Sequence, residues 1–95
     1  MTREEALAKH VQYSWVVLEH KWRYYVGRFH GVQAVSDEKY DKIEESYKKL
    51  CTVLKLPTSA SSMVGFDFKR ASCRMVHDKM CKLYNLNSET TTWVG

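Results

Sequence analysis

Val11-Gln12-Tyr13-Ser14-Trp15-Val16-Val17-Leu18-Glu19-His20-Lys21-Trp22-Arg23-Tyr24-Tyr25 is the stretch that decides the fold. Through it and beyond it, Leu7, Val11, Trp15, Leu18, Trp22, Tyr25 and Phe29 recur at spacings of 4, 4, 3, 4, 3 and 4. That period is the signature of one helix face turned to a core. A second line, Tyr13, Val17, His20 and Tyr24, runs at 4, 3 and 4. A helix with two such lines is covered on more than one side. Core packing is expected for most of these aromatics, and the second side meets another helix, a partner or a ligand.

Outward from that stretch the signals stay helical. Thr2 suits an N-cap, with Glu4 and Glu5 near the positive end of the helix dipole. Gly27 and Gly31 loosen the far end, and residues 31–36 read as a loop. Ser36 is a second good N-cap, followed by Asp37 and Glu38. Tyr40, Ile43, Tyr47, Leu50 and Leu54 then define another amphipathic helix, expected to run to about Lys55 and to be stopped by Pro57. Two helices joined by a short connection pack antiparallel, apolar stripes together.

The remainder is less regular. Residues 58–65 are small and polar and read as a loop. From Phe66 to Leu86, the residues Phe68, Ala71, Met75 and Leu83 hint at a helix without a firm cap. Residues 87–95 form a Ser/Thr-rich tail, expected to be loose unless Trp93 docks. The expected fold class is therefore all-α: an antiparallel hairpin of two long helices plus a shorter, partly irregular C-terminal segment. One domain over 1–86 and a flexible tail over 87–95 complete it.

Composition bounds the function. Ninety-five residues hold one core. One proline and four glycines favour helix over a turn-rich β fold. The net charge of +4 is spread among interleaved acids. It suits attraction to an anion or a nucleic acid, and equally a solvated surface. No base-reading motif accompanies it, so direct nucleic-acid binding is expected to be weak or absent. Three cysteines without a CxxC pair argue for a reducing compartment, with the cytoplasm as default. No run approaches the ~20 apolar residues of a membrane span. Cys73, His77 and Cys81 fall at i, i+4 and i+8. The end positions of such a set lie about 12 Å apart on one helix, too far to share one zinc.

The residues best suited to chemistry sit around Ser36-Asp37-Glu38-Lys39-Tyr40-Asp41. Asp37, Tyr40 and Asp41 share one end of one helix face, at an N-terminus that favours carboxylates. Such acceptors suit ribose hydroxyls, amide N–H groups or a cationic ring. Tyr24 and Tyr25 add flat faces for stacking a cation. An acidic helix start with a core tyrosine accounts for the same residues without a ligand.

Leu18-Glu19-His20-Lys21-Trp22-Arg23-Tyr24-Tyr25-Val26, a linker, and then Ser36-Asp37-Glu38-Lys39-Tyr40-Asp41-Lys42-Ile43 resemble the N-terminal helical domain of bacterial NAD-dependent DNA ligases. That family reads roughly H-x-Y-x-Y-[YH]-V, a linker, then [SP]-D-x-x-Y-D-x-L. Ser59 to Gly65 looks like a degraded S-P-T-x-x-V-G, and His77 to Asn85 like H-x-x-P-M-L-S-L-D-N. The resemblance covers about residues 15–85 and is strongest over 15–57. It implies a domain that recognises the nicotinamide mononucleotide (NMN) half of NAD, in the service of DNA ligation, replication and repair. By resemblance, Tyr24 and Tyr25 would contact the nicotinamide. Asp37, Tyr40 and Asp41 would hold its ribose, phosphate or carboxamide surroundings, with His20 one turn below Tyr24. A surface histidine is an equal reading of His20. Lys82-Leu83 stands where the family's Ser-Leu touches the adenosine half.

The chain also departs from that pattern. Its linker from Tyr25 to Asp37 is about three residues longer and lacks the family's Asp-x-Pro. Lys79-Met80-Cys81-Lys82-Leu83-Tyr84 replaces Pro-Met-Leu-Ser-Leu-Asp. No Lys-x-Asp-Gly occurs, so the nucleophilic lysine of adenylyl transfer is missing and no zinc-finger cysteine cluster follows. Two readings result. The chain recognises NAD or NMN, alone or as the small subunit of a split ligase whose adenylation-domain partner brings the lysine. Alternatively, it is a ligase-derived, non-catalytic interaction module for a protein partner such as a ligase.

Overall fold

Two long helices lie side by side and antiparallel, as the periodicity predicts. In the computed structural model, which describes residues 2–62 and 65–91, these are α1 (Arg3–Tyr25) and α2 (Asp37–Leu54). His10 stacks on Tyr47, with ring centroids 5.4 Å apart, while His20 meets the edge of Tyr40 at 6.3 Å. The two pairs run in opposite sequence directions, which fixes the antiparallel sense. Both start signals behave as their chemistry requires. The Thr2 hydroxyl accepts from the Glu5 N–H at 3.1 Å, and the Ser36 hydroxyl accepts from the Lys39 N–H at 3.3 Å.

The helix ends lie slightly earlier than expected. α2 closes at Leu54 because Lys55 adopts a left-handed conformation, φ 56°. The Leu56 N–H then bonds back to the Cys51 carbonyl at 2.9 Å, so the stop precedes Pro57. α1 ends at Tyr25 and passes into a 3₁₀ turn, Gly27–His30. Phe29 therefore leaves the helical stripe and stands exposed. Within the segment 58–65, read from sequence as a loop, α3 (Ser59–Ser62) makes a single turn. Its Ala60 is buried, and the Ala60 N–H donates to the Tyr47 hydroxyl.

α4 (Ala71–Leu83) resolves the uncertain C-terminal segment as a helix, with a different inner face from the one its large apolar residues suggest. Met75 and Leu83 are 62% and 64% exposed, whereas Cys73, Val76, His77, Met80 and Cys81 are buried. α4 crosses α1 near Trp22. The Trp22 indole Nε1 donates to His77 Nδ1 at 2.9 Å. An indole N–H can only donate, so the His77 proton sits on Nε2, which meets the Ser88 carbonyl at 2.9 Å. Trp22 also stacks on Tyr84, with ring centroids 6.0 Å apart. The Lys79–Glu19 ion pair closes the edge at 2.6 Å. The segment after α4, expected to be loose from residue 87, folds back onto the domain as far as the buried Thr91. Trp93 lies outside the described residues.

α4 meets α1 around Glu19, Trp22 and Arg23. The N-terminal half of the α1 stripe therefore lacks its cover, and Val11 is 55% exposed although it lies on the face of Trp22. Among the described residues there is no strand, and no helix is long and apolar enough to cross a membrane.

Candidate functional site

A cleft of about 290 Å³ opens where the end of α1 faces the start of α2. Its walls are His20, Lys21, Tyr24 and Tyr25 from α1, Ala34 and Val35 from the linker, and Asp37, Tyr40 and Glu44 from α2. Five of the six residues singled out in the sequence thus line one space: His20, Tyr24, Tyr25, Asp37 and Tyr40. The volume stands near the lower bound of small-molecule pockets, roughly 300 Å³.

Backbone geometry makes the cleft. Gly27 packs directly on Trp22. A Cβ at Gly27 would lie 2.7 Å from Trp22 Cζ3 and 2.9 Å from Val32 Cβ. Only glycine lets the chain turn this tightly over the indole. Gly31 follows in the left-handed region, φ 84°, and reverses the direction of the chain. Val32 then buries itself, and Ala34 and Val35 reach the cleft wall.

Asp41 is not part of this wall. It lines a shallow depression with Glu45, Lys48 and Lys49 on the outer side of α2. The reason is angular. At 100° per residue, Asp37, Tyr40 and Glu44 fall within a sector of about 60°, whereas Asp41 lies about 40° beyond Asp37 on the solvent side. Helical spacing allows both carboxylates on one face, and the tilt of the pair of helices selects Asp37.

The polar groups of the cleft are held by one another. The Tyr40 hydroxyl donates to Glu44 Oε2 at 2.9 Å. Burial, then this bond, push the phenol pKa above its ordinary value, so Tyr40 stays protonated. Glu44 also pairs with Lys48 at 3.3 Å. His20 Nδ1 lies 3.3 Å from the Arg23 guanidinium, which can only donate. The ring is therefore an acceptor there and carries its proton on Nε2. Burial holds the His20 pKa below the ordinary histidine value, Arg23 and Lys39 push it the same way, and Glu19 opposes them. Lys21 is 6% exposed, and its Nζ lies over the Tyr25 ring, 5.9 Å from the centroid. Burial lowers its pKa, and Glu44 counteracts part of that shift.

Tyr24 is 46% exposed and meets Tyr25 edge to face at 4.9 Å. The Arg28 guanidinium lies 5.2 Å from the Tyr24 centroid and the same distance from that of Phe29. Arg28 is outside the cleft wall, so Tyr24 carries a cation of its own chain beside the cleft.

Four wall positions were missed by the reading of the sequence. Lys21 stands three and four residues before Tyr24 and Tyr25, and Glu44 four after Tyr40. Helical spacing was the available signal for both. Ala34 and Val35 had no such signal, because the path of a loop is not periodic.

The cleft offers carboxylate acceptors, tyrosine faces and one buried ammonium. The motif segment His77 to Asn85 contributes to the core instead, since both His77 ring nitrogens are engaged by Trp22 and Ser88. Among the described residues no group of three or more His, Cys, Asp or Glu is placed to hold a metal ion. Comparison of the chain with protein-family models, with curated proteins and with solved structures finds no match.

Proposed function

We propose that this chain is a nicotinamide-nucleotide recognition module resembling the N-terminal domain of NAD-dependent DNA ligases. It takes the NMN half of NAD, either alone or as the small subunit of a split ligase in which a partner supplies the nucleophilic lysine. One observation carries the reading. Two segments separated by a loop, the first ending in Tyr24-Tyr25 and the second opening on Asp37, form the walls of one cleft. A pyridinium ring is flat and cationic. It is attracted to tyrosine faces and to carboxylates together, and its carboxamide and ribose hydroxyls donate to Asp37.

The module needs no acid or base of its own. A leaving group held in line with an attacking lysine lowers the barrier through orientation. The three cysteines, all buried as free thiols, accord with a cytoplasmic setting. Direct contact with DNA is not part of this reading.

Titration of the purified chain with NMN, followed by amide NMR shifts, tests it. Shifts clustered at residues 20–25 and 34–44, and lost in Asp37→Ala, are the expected result. No shifts at millimolar NMN from a folded chain would sink binding by the free chain.

A second reading is supported by Tyr24, Arg28 and Phe29, an exposed group beside the cleft. Arg and aromatic residues dominate protein interfaces. On this reading the chain is a ligase-derived interaction module that has lost its ligand. Arg28→Ala would then abolish capture of a partner protein such as a ligase, while NMN would leave the spectrum unchanged.

A further inference from the structure

A second hollow, a groove of about 390 Å³, shares no wall residue with the cleft. It lies where the α1 stripe lacks its cover. Val11, Trp15 and Leu18 of α1 line it together with Leu56 and Pro57, which follow α2. Val11 and Leu56 keep 55% and 36% of their surface exposed. A hollow of this size, with mostly apolar walls and a few polar groups, is the usual form of a small-molecule site.

The charge of the groove is opposite to that of the cleft. The cleft wall carries Asp37 and Glu44, whereas the groove wall carries Arg70 and His10 and no carboxylate. Arg70 Nη1 donates to the Ser59 carbonyl at 3.3 Å, and both residues line the groove. Asp67 lies 3.8 Å from Arg70 Nε, beyond hydrogen-bond reach, with the two side chains 40% and 45% exposed. Asp67 Oδ1 meanwhile accepts from the Lys69 N–H. A guanidinium has five N–H donors, so these contacts leave donors for an anion. α4 also begins at this corner without a side-chain cap, and the positive end of its dipole adds to the charge. His10 stacks on Tyr47, and its Nε2 is buried with no hydrogen-bond partner. Such a nitrogen is rare, and the groove is the space from which an occupant reaches this ring.

We propose that the groove is a second ligand site, taking a small carboxylate with an apolar body. The carboxylate lies at the corner of Arg70, Ser59 and Ser72, and the body lies along Val11, Trp15 and Leu56. A neutral apolar molecule fills the groove without using the guanidinium, and a cation is repelled by it. The site is independent of the nicotinamide reading, because the two hollows have no residue in common and favour opposite charges.

Titration of the purified chain with octanoate and with 1-octanol, which has the same body and no charge, tests both ends of the groove by NMR. Octanoate is expected to shift the Trp15 indole N–H and the amides of residues 10–18, 58–60 and 70–72. It is expected to bind about fivefold more tightly than 1-octanol, the upper scale of a partly exposed ion pair. Arg70→Gln is expected to bring the two ligands within about twofold by weakening octanoate alone. Val11→Glu, at an exposed wall position, is expected to weaken octanoate more than 1-octanol, and it decides if Arg70→Gln fails to fold. Equal binding of the two ligands by wild type, an unchanged preference in a folded variant, or no shifts at millimolar octanoate overturns the proposal. Shifts spread equally over the exposed Val53, Met75 and Leu83 would mean unspecific adsorption. The same groove shifts produced by raising the protein concentration alone would mean that a second copy fills the groove. Either result overturns the site as well.

Discussion

α1 turns one side to α4 and another to the cleft, and the two treat polar groups differently. On the α4 side, Trp22 Nε1 finds His77, and His77 in turn meets the Ser88 carbonyl. Every hydrogen-bonding atom of that pair of rings is used, and the surface between the helices is filled by Val76, Met80 and Tyr84. On the cleft side, one carboxylate serves both Tyr40 and Lys48, Lys21 leans on a tyrosine ring, and a space of about 290 Å³ separates the helices. A closed chain of paired groups stabilises a fold, whereas on the proposed reading the carboxylates and tyrosine faces gathered round a space serve a ligand. Substitutions should divide along this line, with those against α4 costing stability and those in the cleft costing affinity.

The largest effect is expected at Trp22. Trp22→Ala removes a fully buried ring and strands His77 Nδ1. A loss of about 3–5 kcal/mol is expected, read as a shifted urea midpoint. A loss below about 1 kcal/mol would mean that α4 is not anchored through this ring. Gly27→Ala comes next, because its Cβ would press into Trp22 and Val32. Overpacking of this kind costs roughly 1–3 kcal/mol. It also links the two sides, since the strained turn carries Ala34 and Val35 to the cleft. The variant should lose both stability and NMN affinity, whereas loss of stability alone would separate the turn from the site.

The same division explains how much was legible in the sequence. Capping and periodicity are local, so Ser36, Thr2 and the stripe through Tyr47 and Leu54 announce α1 and α2 directly. α4 was visible only as a weak helix with the wrong face forward. Its exposed side carries the large apolar Met75 and Leu83, while its buried side carries Cys73, His77 and Cys81. His77 reads as polar until its partner is known, and that partner, Trp22, lies 55 residues away. For the cleft, spacing grouped Asp37 with Tyr40 and the resemblance set them beside the tyrosines of α1, yet spacing also admitted Asp41. Helix phase alone does not say where the neighbouring helix lies, and a difference of about 40° is enough to turn a carboxylate from wall to solvent.

That angular distinction yields a paired prediction of intermediate size. Asp37→Ala should weaken NMN binding about tenfold, the scale of a lost hydrogen bond to a charged acceptor. Asp41→Ala should change it by less than about twofold, because its carboxylate faces the outer depression. Both variants should unfold within about 0.5 kcal/mol of wild type, as exposed positions do. Equal losses of affinity would mean that the ligand sits across the helix start and not within the cleft.

The smallest effect is a pH dependence belonging to the cleft side. His20 takes up its proton less readily in the fold than in the unfolded chain, because burial and the Arg23 guanidinium oppose the charge. The unfolded chain binds that proton near pH 6.5, the folded chain only at lower pH. Between those points the unfolded state holds more protons, so stability falls as pH drops below about 6.5 and the loss levels off below the folded pKa. At pH 8 the contribution is fully present. Urea midpoints of wild type and His20→Gln, measured from pH 8 to pH 5, isolate the term because all other titrating groups are shared. The wild type should decline more steeply than the variant over this range. Parallel curves would show that the ring escapes both its burial and the Arg23 guanidinium and charges freely in the fold.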